Sequence, residues 1–302
     1  MKSIDVFCHL MPKKYAELAM SESPNKSHMF MRALNMRAMS DMEYRAEVLK
    51  QFPGYKQIPN IVSPPVEAFA GPDKSPKIAA VGNDEIKKIT ETYPEYYEGF
   101  IAGIPFNNVP ASVEEIKRCK DMGAKGVQIY AHMNGEAIDT EKYWPIYEIC
   151  EKLDLPILIH PVGGQMVPEF PTETRSKYEL WFTIGWPYQT TVAMLRLAFS
   201  GIFEEFPNIK IITHHVGAMV PMLGGRIENG LKLYGSRTAP ELKEELTKTK
   251  MKGDPLDTFK KYYADTASFG STSAIRAGID FFGVDHIPVS YTHLRAHETA
   301  AN

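Results

Sequence analysis

Residues 155–161 read Leu155-Pro156-Ile157-Leu158-Ile159-His160-Pro161. A short apolar run stopped by His-Pro is the pattern of a strand buried on both faces of a parallel sheet. Gly163-Gly164 follows and lets the backbone turn close to a ligand. Two other runs end the same way: Ile4-Asp5-Val6-Phe7-Cys8-His9 and Ile209-Lys210-Ile211-Ile212-Thr213-His214-His215. In a βα barrel the C-terminal strand ends open into one shared mouth, so histidines far apart in sequence can meet there.

The rest of the chain fits that alternation of strand and helix. Strands are expected at Gln57–Val62, Phe100–Ile104, Gly126–Ile129 and Tyr262–Asp265, with helices at Asp41–Phe52, Asp84–Tyr93, Val113–Met122, Trp144–Leu153, Thr190–Phe206 and Ser273–Phe282. That makes seven strands before Ile287, where a closed barrel wants eight. The segments 166–187 and 232–254 are long for connections and suit lids or subunit contacts at a barrel mouth.

With 302 residues, 44% hydrophobic and 24% charged, the chain has the size and mix of one globular enzyme domain. A net charge of -3 gives no reason to expect a nucleic-acid partner, and no apolar run approaches a membrane span. Met1-Lys2-Ser3 leads straight into a strand without a signal sequence, and three scattered cysteines favour reduced thiols. The expected location is the cytoplasm.

His160 is the strongest single candidate for chemistry; its alternative is a histidine hydrogen-bonded to a backbone carbonyl. His214 and His215 are adjacent, so regular strand geometry lets only one line the mouth, and the turn that follows suits a catalytic base. His9 ends the first strand, with Asp5 expected on its face and Cys8 pointing away. Neutral imidazole is the commonest zinc ligand, and catalytic sites keep a coordination position open. His132, after strand four, is close enough to the mouth for substrate contact, whereas His28 reads as exposed and His286 as a loop residue. Arg45 and Arg37 could hold a substrate carboxylate, although helix arginines are usually solvated. Trp181 and Trp186 could wall an aromatic substrate or simply pack their loop. Asp265 either faces the mouth or caps a helix.

Several stretches together resemble the amidohydrolase-related group that includes aminocarboxymuconate-semialdehyde decarboxylase and the resorcylate decarboxylases. They are 4–12 (IDVFCHLMP), 155–161 (LPILIHP), 185–190 (GWPYQT) and 210–221 (KIITHHVGAMVP), and the likeness runs from Ser3 to about Ile287. The resemblance implies a (β/α)8 TIM-like barrel with one divalent metal, Zn foremost and Mn or Mg as alternatives. It implies ligands from a His-x-His on strand one, a His after strand five and an Asp after strand eight. On this chain His9 matches the second histidine of the first motif and His160 the strand-five ligand. His215, the one followed by x-Gly, matches the strand-six base, leaving His214 as its outward neighbour.

Two departures stand out. Phe7 occupies the first position of His-x-His and cannot donate to a metal. After Ile287 the expected Gly-Thr-Asp is missing; 288–302 reads like translated sequencing-adapter DNA, with Thr292 where the Asp belongs. The barrel domain is therefore expected over 1–287 and a non-native tail over 288–302, in which His293 and His297 are not ligands. Without strand eight the barrel is expected to stay open at one edge. The implied activity is metal-dependent, non-oxidative decarboxylation of a small aromatic or unsaturated carboxylic acid. His9 and His160 would hold metal, His215 would act as catalyst, and Arg45, Trp181 and His132 would contact substrate. The alternatives are a lactone or amide hydrolase and a relative that has lost its metal. A homodimer is the expected assembly.

Overall fold

A computed structural model describes residues 3–23, 28–61 and 64–290. Seven parallel strands follow in order: β1 (Ser3–Leu10), β2 (Tyr55–Ile61), β3 (Phe100–Gly103), β4 (Ala124–Tyr130), β5 (Ile157–His160), β6 (Ile211–Thr213) and β7 (Tyr263–Ala264). β1 pairs with β2, and β3 to β7 pair in sequence order. The two groups join where Gln57 accepts from Glu98 N–H at 3.0 Å and donates to Tyr96 C=O at 2.8 Å. Helices alternate with the strands, among them Ser75–Thr92, Val109–Asp121, Trp144–Lys152, Trp186–Ser200, Val220–Lys232 and Thr272–Phe282. Among the described residues no helix is long and apolar enough to cross a membrane.

The expected elements recur with shifted ends. The helix expected at Thr190–Phe206 is two, Trp186–Ser200 and Ile202–Glu205. Gly201 breaks it at φ 84°, a left-handed cap that glycine adopts without penalty. The excursion after β1 forms four short helices, and the last, Met42–Leu49, is capped by Asp41, which accepts from Tyr44 N–H. Val62 and Ser63, where the second strand was expected to end, lie outside the described residues, as do Thr292, His293 and His297.

No eighth strand occurs among the described residues, yet the gap between β7 and β1 is filled. Val6 N–H donates to Val289 C=O at 2.9 Å, and Ser290 Oγ donates to Phe7 C=O at 3.2 Å. On the other side Ser290 N–H donates to Thr266 Oγ1 at 2.9 Å. Ser290 is fully buried there. The edge of β1 expected to stand open is thus covered by Val289 and Ser290.

Two apolar layers pack helices onto the outside of the strands, one built on Ile129, Ile157, Ile159 and Ile211, the other on Ile78, Ile86, Phe100 and Ala102. A smaller cluster fills the barrel interior: Phe7, Ile101, Leu158 and Ile212, with Val6, Ile58 and Tyr263 against it. Side chains two residues apart on a strand share a face. The next inward positions toward the mouth are therefore His9 above Phe7, Asn60 above Ile58, His160 above Leu158, His214 above Ile212 and Asp265 above Tyr263. An apolar floor carries a polar layer.

β1 departs from simple alternation. Its pairing with β2 slips between Asp5 and Cys8, where Val6 and Phe7 of β1 together oppose Ile58 of β2. Asp5 accepts from Tyr55 Oη at 2.6 Å and lies beside Cys8, not on the face of His9 as expected. The extra residue of the bulge reverses the side-chain direction.

The turn after β6 is clamped by the helix Thr272–Phe282. Phe282 lies on Gly217, and Val216 lies against Gly278 with no room for a Cβ. Gly278→Ala should therefore destabilise the fold by about 1–3 kcal/mol through overpacking. A thermal melt would show this as a fall of several degrees; an unchanged transition would mean that the clamp is loose.

Candidate metal centre

His9, His160 and His214 are brought together from three strands, and one ligand atom from each lies within 4.8 Å of the other two. All three are buried, at 6%, 3% and 2% exposure. The rings of His160 and His214 stack with centroids 5.0 Å apart, and His9 meets His160 edge-on at 5.1 Å. The geometry corrects one expectation. His214 faces inward, because it stands two residues beyond Ile212, which faces the interior floor.

Each imidazole is held by its Nδ1. His9 Nδ1 meets Asn60 Oδ1 at 2.6 Å, His160 Nδ1 meets Pro161 C=O at 2.5 Å, and His214 Nδ1 pairs with the Asp265 carboxylate. All three partners are acceptors, so each Nδ1 carries the proton and each Nε2 carries the lone pair. This is the outer arrangement that orients histidine ligands around a metal. Three convergent imidazoles match the donor set of a divalent-metal site. The residues present fit a divalent ion.

Phe7 stands inside this group, its ring centroid 4.5 Å from that of His214 and 5.7 Å from that of His9. It walls the centre on the floor side and supplies no donor atom. Asp265 is fully buried and also accepts from the N–H groups of Val216 at 3.3 Å and Ala267 at 3.0 Å. Burial pushes its carboxyl above the usual range. The position expected to supply an Asp ligand lies outside the described residues; Asp265 instead anchors His214.

His215 begins a left-handed turn: His215, Val216, Gly217 and Ala218 have φ of 60°, 59°, 71° and 56°. Such a conformation costs about 1–3 kcal/mol at a non-glycine residue and is most strained for a β-branched one. The turn is held by Asp265, by Thr191 Oγ1 accepting from Met219 N–H at 3.1 Å, and by the Phe282 clamp. It holds the half-buried His215 ring against that of His214, 4.0 Å between centroids, with Trp186 at 6.3 Å and Phe269 at 6.1 Å.

The expected substrate contacts separate. Trp186 is the indole nearest the metal group, 5.5 Å from His160, and its Nε1–H donates to Gly163 C=O at 2.8 Å. Trp181 packs edge-on behind it at 5.7 Å, in the single π-helical turn Trp181–Gly185. His132 is tied into its own loop, its Nδ1 accepting from Gly135 N–H at 3.0 Å, and burial lowers its pKa. Arg45 corrects the sequence expectation. It is 3% exposed, and its guanidinium donates to Gln57 Oε1, His9 C=O and Ala38 C=O at 2.7–3.0 Å. A substrate carboxylate would have to displace these bonds, so Arg45 braces the end of β1. Asn60 and Gln128 were missed. Buried amides one or two residues from a strand end are ordinary in sequence, and only a strand-two alternation count would have singled out Asn60.

Beside the centre a small cavity with space for about one water is lined by Tyr15, Glu67, Gln128 and Tyr130. Burial holds the Glu67 carboxyl up at about 7 from 4.5. Below pH 4.5 folded and unfolded chains are both protonated there, and the group costs nothing. As pH rises through 4.5 toward 7 the unfolded chain releases its proton first, and stability falls by about 3 kcal/mol in total. Urea unfolding of Glu67→Gln should lack this component; parallel pH profiles for variant and wild type would refute it.

One divalent ion per chain should bind at this centre, and chelator competition should show that His160→Ala abolishes it. Phe7→His adds a fourth imidazole and should tighten binding about tenfold or more. Affinity should decline as the solution is made more acidic, because protonated imidazole cannot ligate. Unchanged affinity in His160→Ala would place the ion elsewhere.

Comparison with known proteins supports the same reading of the fold. The chain is 32% identical over 166 residues to 2-amino-3-carboxymuconate-6-semialdehyde decarboxylase of Dictyostelium discoideum, covering 54% of this chain and 44% of that protein. It spans about half the length of the curated relatives it matches. The crystal structure of 5-carboxyvanillate decarboxylase from Sphingomonas paucimobilis superposes with a TM-score of 0.82 at 18% identity, covering 97% of this chain and 89% of that one. Dihydroxybenzoic acid decarboxylase from Polaromonas sp. JS666, solved with bound manganese and 2-nitroresorcinol, gives 0.74 at 23% identity, covering 96% and 86%. The amidohydrolase family model matches residues 4–287. With its parallel strands, outer helices and histidine-bearing mouth, the chain is a TIM-like barrel and belongs to the amidohydrolase family.

Proposed function

We propose that this barrel serves a metal-dependent, non-oxidative decarboxylase of small aromatic carboxylic acids. The observation that carries the reading is the trio of imidazoles, each pinned at Nδ1, beneath a mouth walled by Trp186, Phe182 and Phe269. The relatives named above are decarboxylases, two of them of aromatic acids.

His9, His160 and His214 would hold the ion. When bound, a divalent ion supplies Lewis-acid polarisation and a template for substrate oxygens. The chain's own residues provide the rest. The flat faces of Trp186 and Phe269 flank His215 and suit an aromatic ring. In decarboxylation the bond to the carboxyl carbon breaks, its electron pair stays on the ring carbon, and that carbon takes a proton. His215 would deliver it; in support, the strained turn holds its ring beside that of His214. Trp181 backs Trp186, and His132 would be a further substrate contact.

Several finer readings belong to the same proposal: zinc as the ion, with manganese or magnesium able to replace it, a cytoplasmic homodimer, and no membrane or nucleic-acid partner. The family's own sequence would end near Ile287, with 288–302 foreign in origin although Val289 and Ser290 fill the gap between β7 and β1.

Carbon dioxide release from hydroxybenzoates such as 2,6-dihydroxybenzoate, with the divalent ion supplied, tests the activity. His215→Asn should lower the rate by about 10²–10⁴ while metal binding persists. Ring opening or amide cleavage without carbon dioxide would replace the decarboxylase reading with a hydrolytic one.

A further inference from the structure

A chain of buried amides leads away from the metal centre. His9 Nδ1 meets Asn60 Oδ1 at 2.6 Å, Asn60 Nδ2 donates to Gln128 Oε1, and Gln128 Nε2 donates to Ile61 C=O at 3.1 Å and to Tyr130 Oη at 2.8 Å. Asn60 and Gln128 are 0% and 5% exposed. They come from the mouth-side halves of β2 and β4, two strands that β3 separates in chain order.

The direction of this chain follows from one group. A backbone carbonyl can only accept. Ile61 C=O therefore requires the NH₂ end of Gln128, which turns Gln128 Oε1 toward Asn60. That oxygen requires the NH₂ end of Asn60, which turns Asn60 Oδ1 toward His9. An acceptor facing His9 Nδ1 requires a proton on that nitrogen, and the lone pair of the neutral ring then lies on Nε2. Flipping either amide would set two acceptors or two donors against each other in a buried place. His160 and His214 need no relay, because a carbonyl and a carboxylate face them directly.

We infer that Asn60 and Gln128 are positioning residues that set the tautomer of His9, with the Ile61 carbonyl as the reference. The inference rests on the reading of His9 as a metal ligand for its functional meaning, but the tautomer is a property of the metal-free chain. Removing such an outer partner is expected to weaken metal binding by about ten- to a hundredfold.

The test is nitrogen NMR of the His9 imidazole in the metal-free, full-length protein at about pH 8, where neutral histidine prevails. Wild type should show the Nδ1–H form; an Nε2–H form would overturn the inference without any variant. Gln128→Leu releases Asn60 to flip and should give a mixture of both forms, with metal affinity lowered as above. Adding Asn60→Asp to that variant restores an acceptor that cannot flip, and should return the Nδ1–H form and most of the affinity. A merely structural role would give neither the mixture nor the rescue. Persistence of the Nδ1–H form in Gln128→Leu, or failure of the double variant to restore it, would refute the relay. Loss of metal binding from wild type with the tautomer unchanged would instead refute the metal reading alone.

Discussion

The whole site depends on the two-residue repeat of a strand whose faces are both buried. In β1, β5 and β6 an apolar side chain and a histidine occupy successive inward positions: Phe7 and His9, Leu158 and His160, Ile212 and His214. The apolar member closes the barrel floor, and burial of one such side chain is worth about 1.5–3 kcal/mol. A one-residue slip would turn the imidazoles into the outer helix layer, so the packing that stabilises the barrel also aims its donors. β7 repeats the scheme with Tyr263 and Asp265, and β2 with Ile58 and Asn60.

Polar groups in such a layer need partners, and the chain supplies them in a graded way. His160 uses the next carbonyl in the chain, His214 uses Asp265, and His9 uses Asn60. The same Asp265 carboxylate also holds the turn that carries His215, so one buried anion orients both a ring of the centre and the turn beside it. The strain of three left-handed non-glycine residues is balanced by the packing of Phe282 on Gly217 and of Val216 on Gly278.

Much of this was legible along the chain. Apolar runs ending in histidine marked β1, β5 and β6, and the alternation with helices marked a parallel barrel. His9 and His160 stand together in the structure as their strand-end positions led one to expect. The choice within His214-His215 was not legible from motif alone: matching x-Gly pointed to His215, whereas the inward face of Ile212 places His214 in the trio. Arg45 was expected to contact substrate, yet it is buried against the end of β1, because the helix Met42–Leu49 packs that face inward. Asp5 was placed one face away from where it stands, because a bulge leaves no mark in the residue types.

The sequence by itself determined which side chains could lie in a barrel mouth, since strand length, apolar content and period two are local properties. It also determined that Phe7 brings no donor atom, a matter of residue type alone. Only the tertiary structure decided which histidine of the pair faces in, which acceptor fixes each imidazole, and how Val289 and Ser290 fill the gap between β7 and β1. Those outcomes rest on contacts between strands that lie tens to hundreds of residues apart, where the register of one element is set by the packing of another.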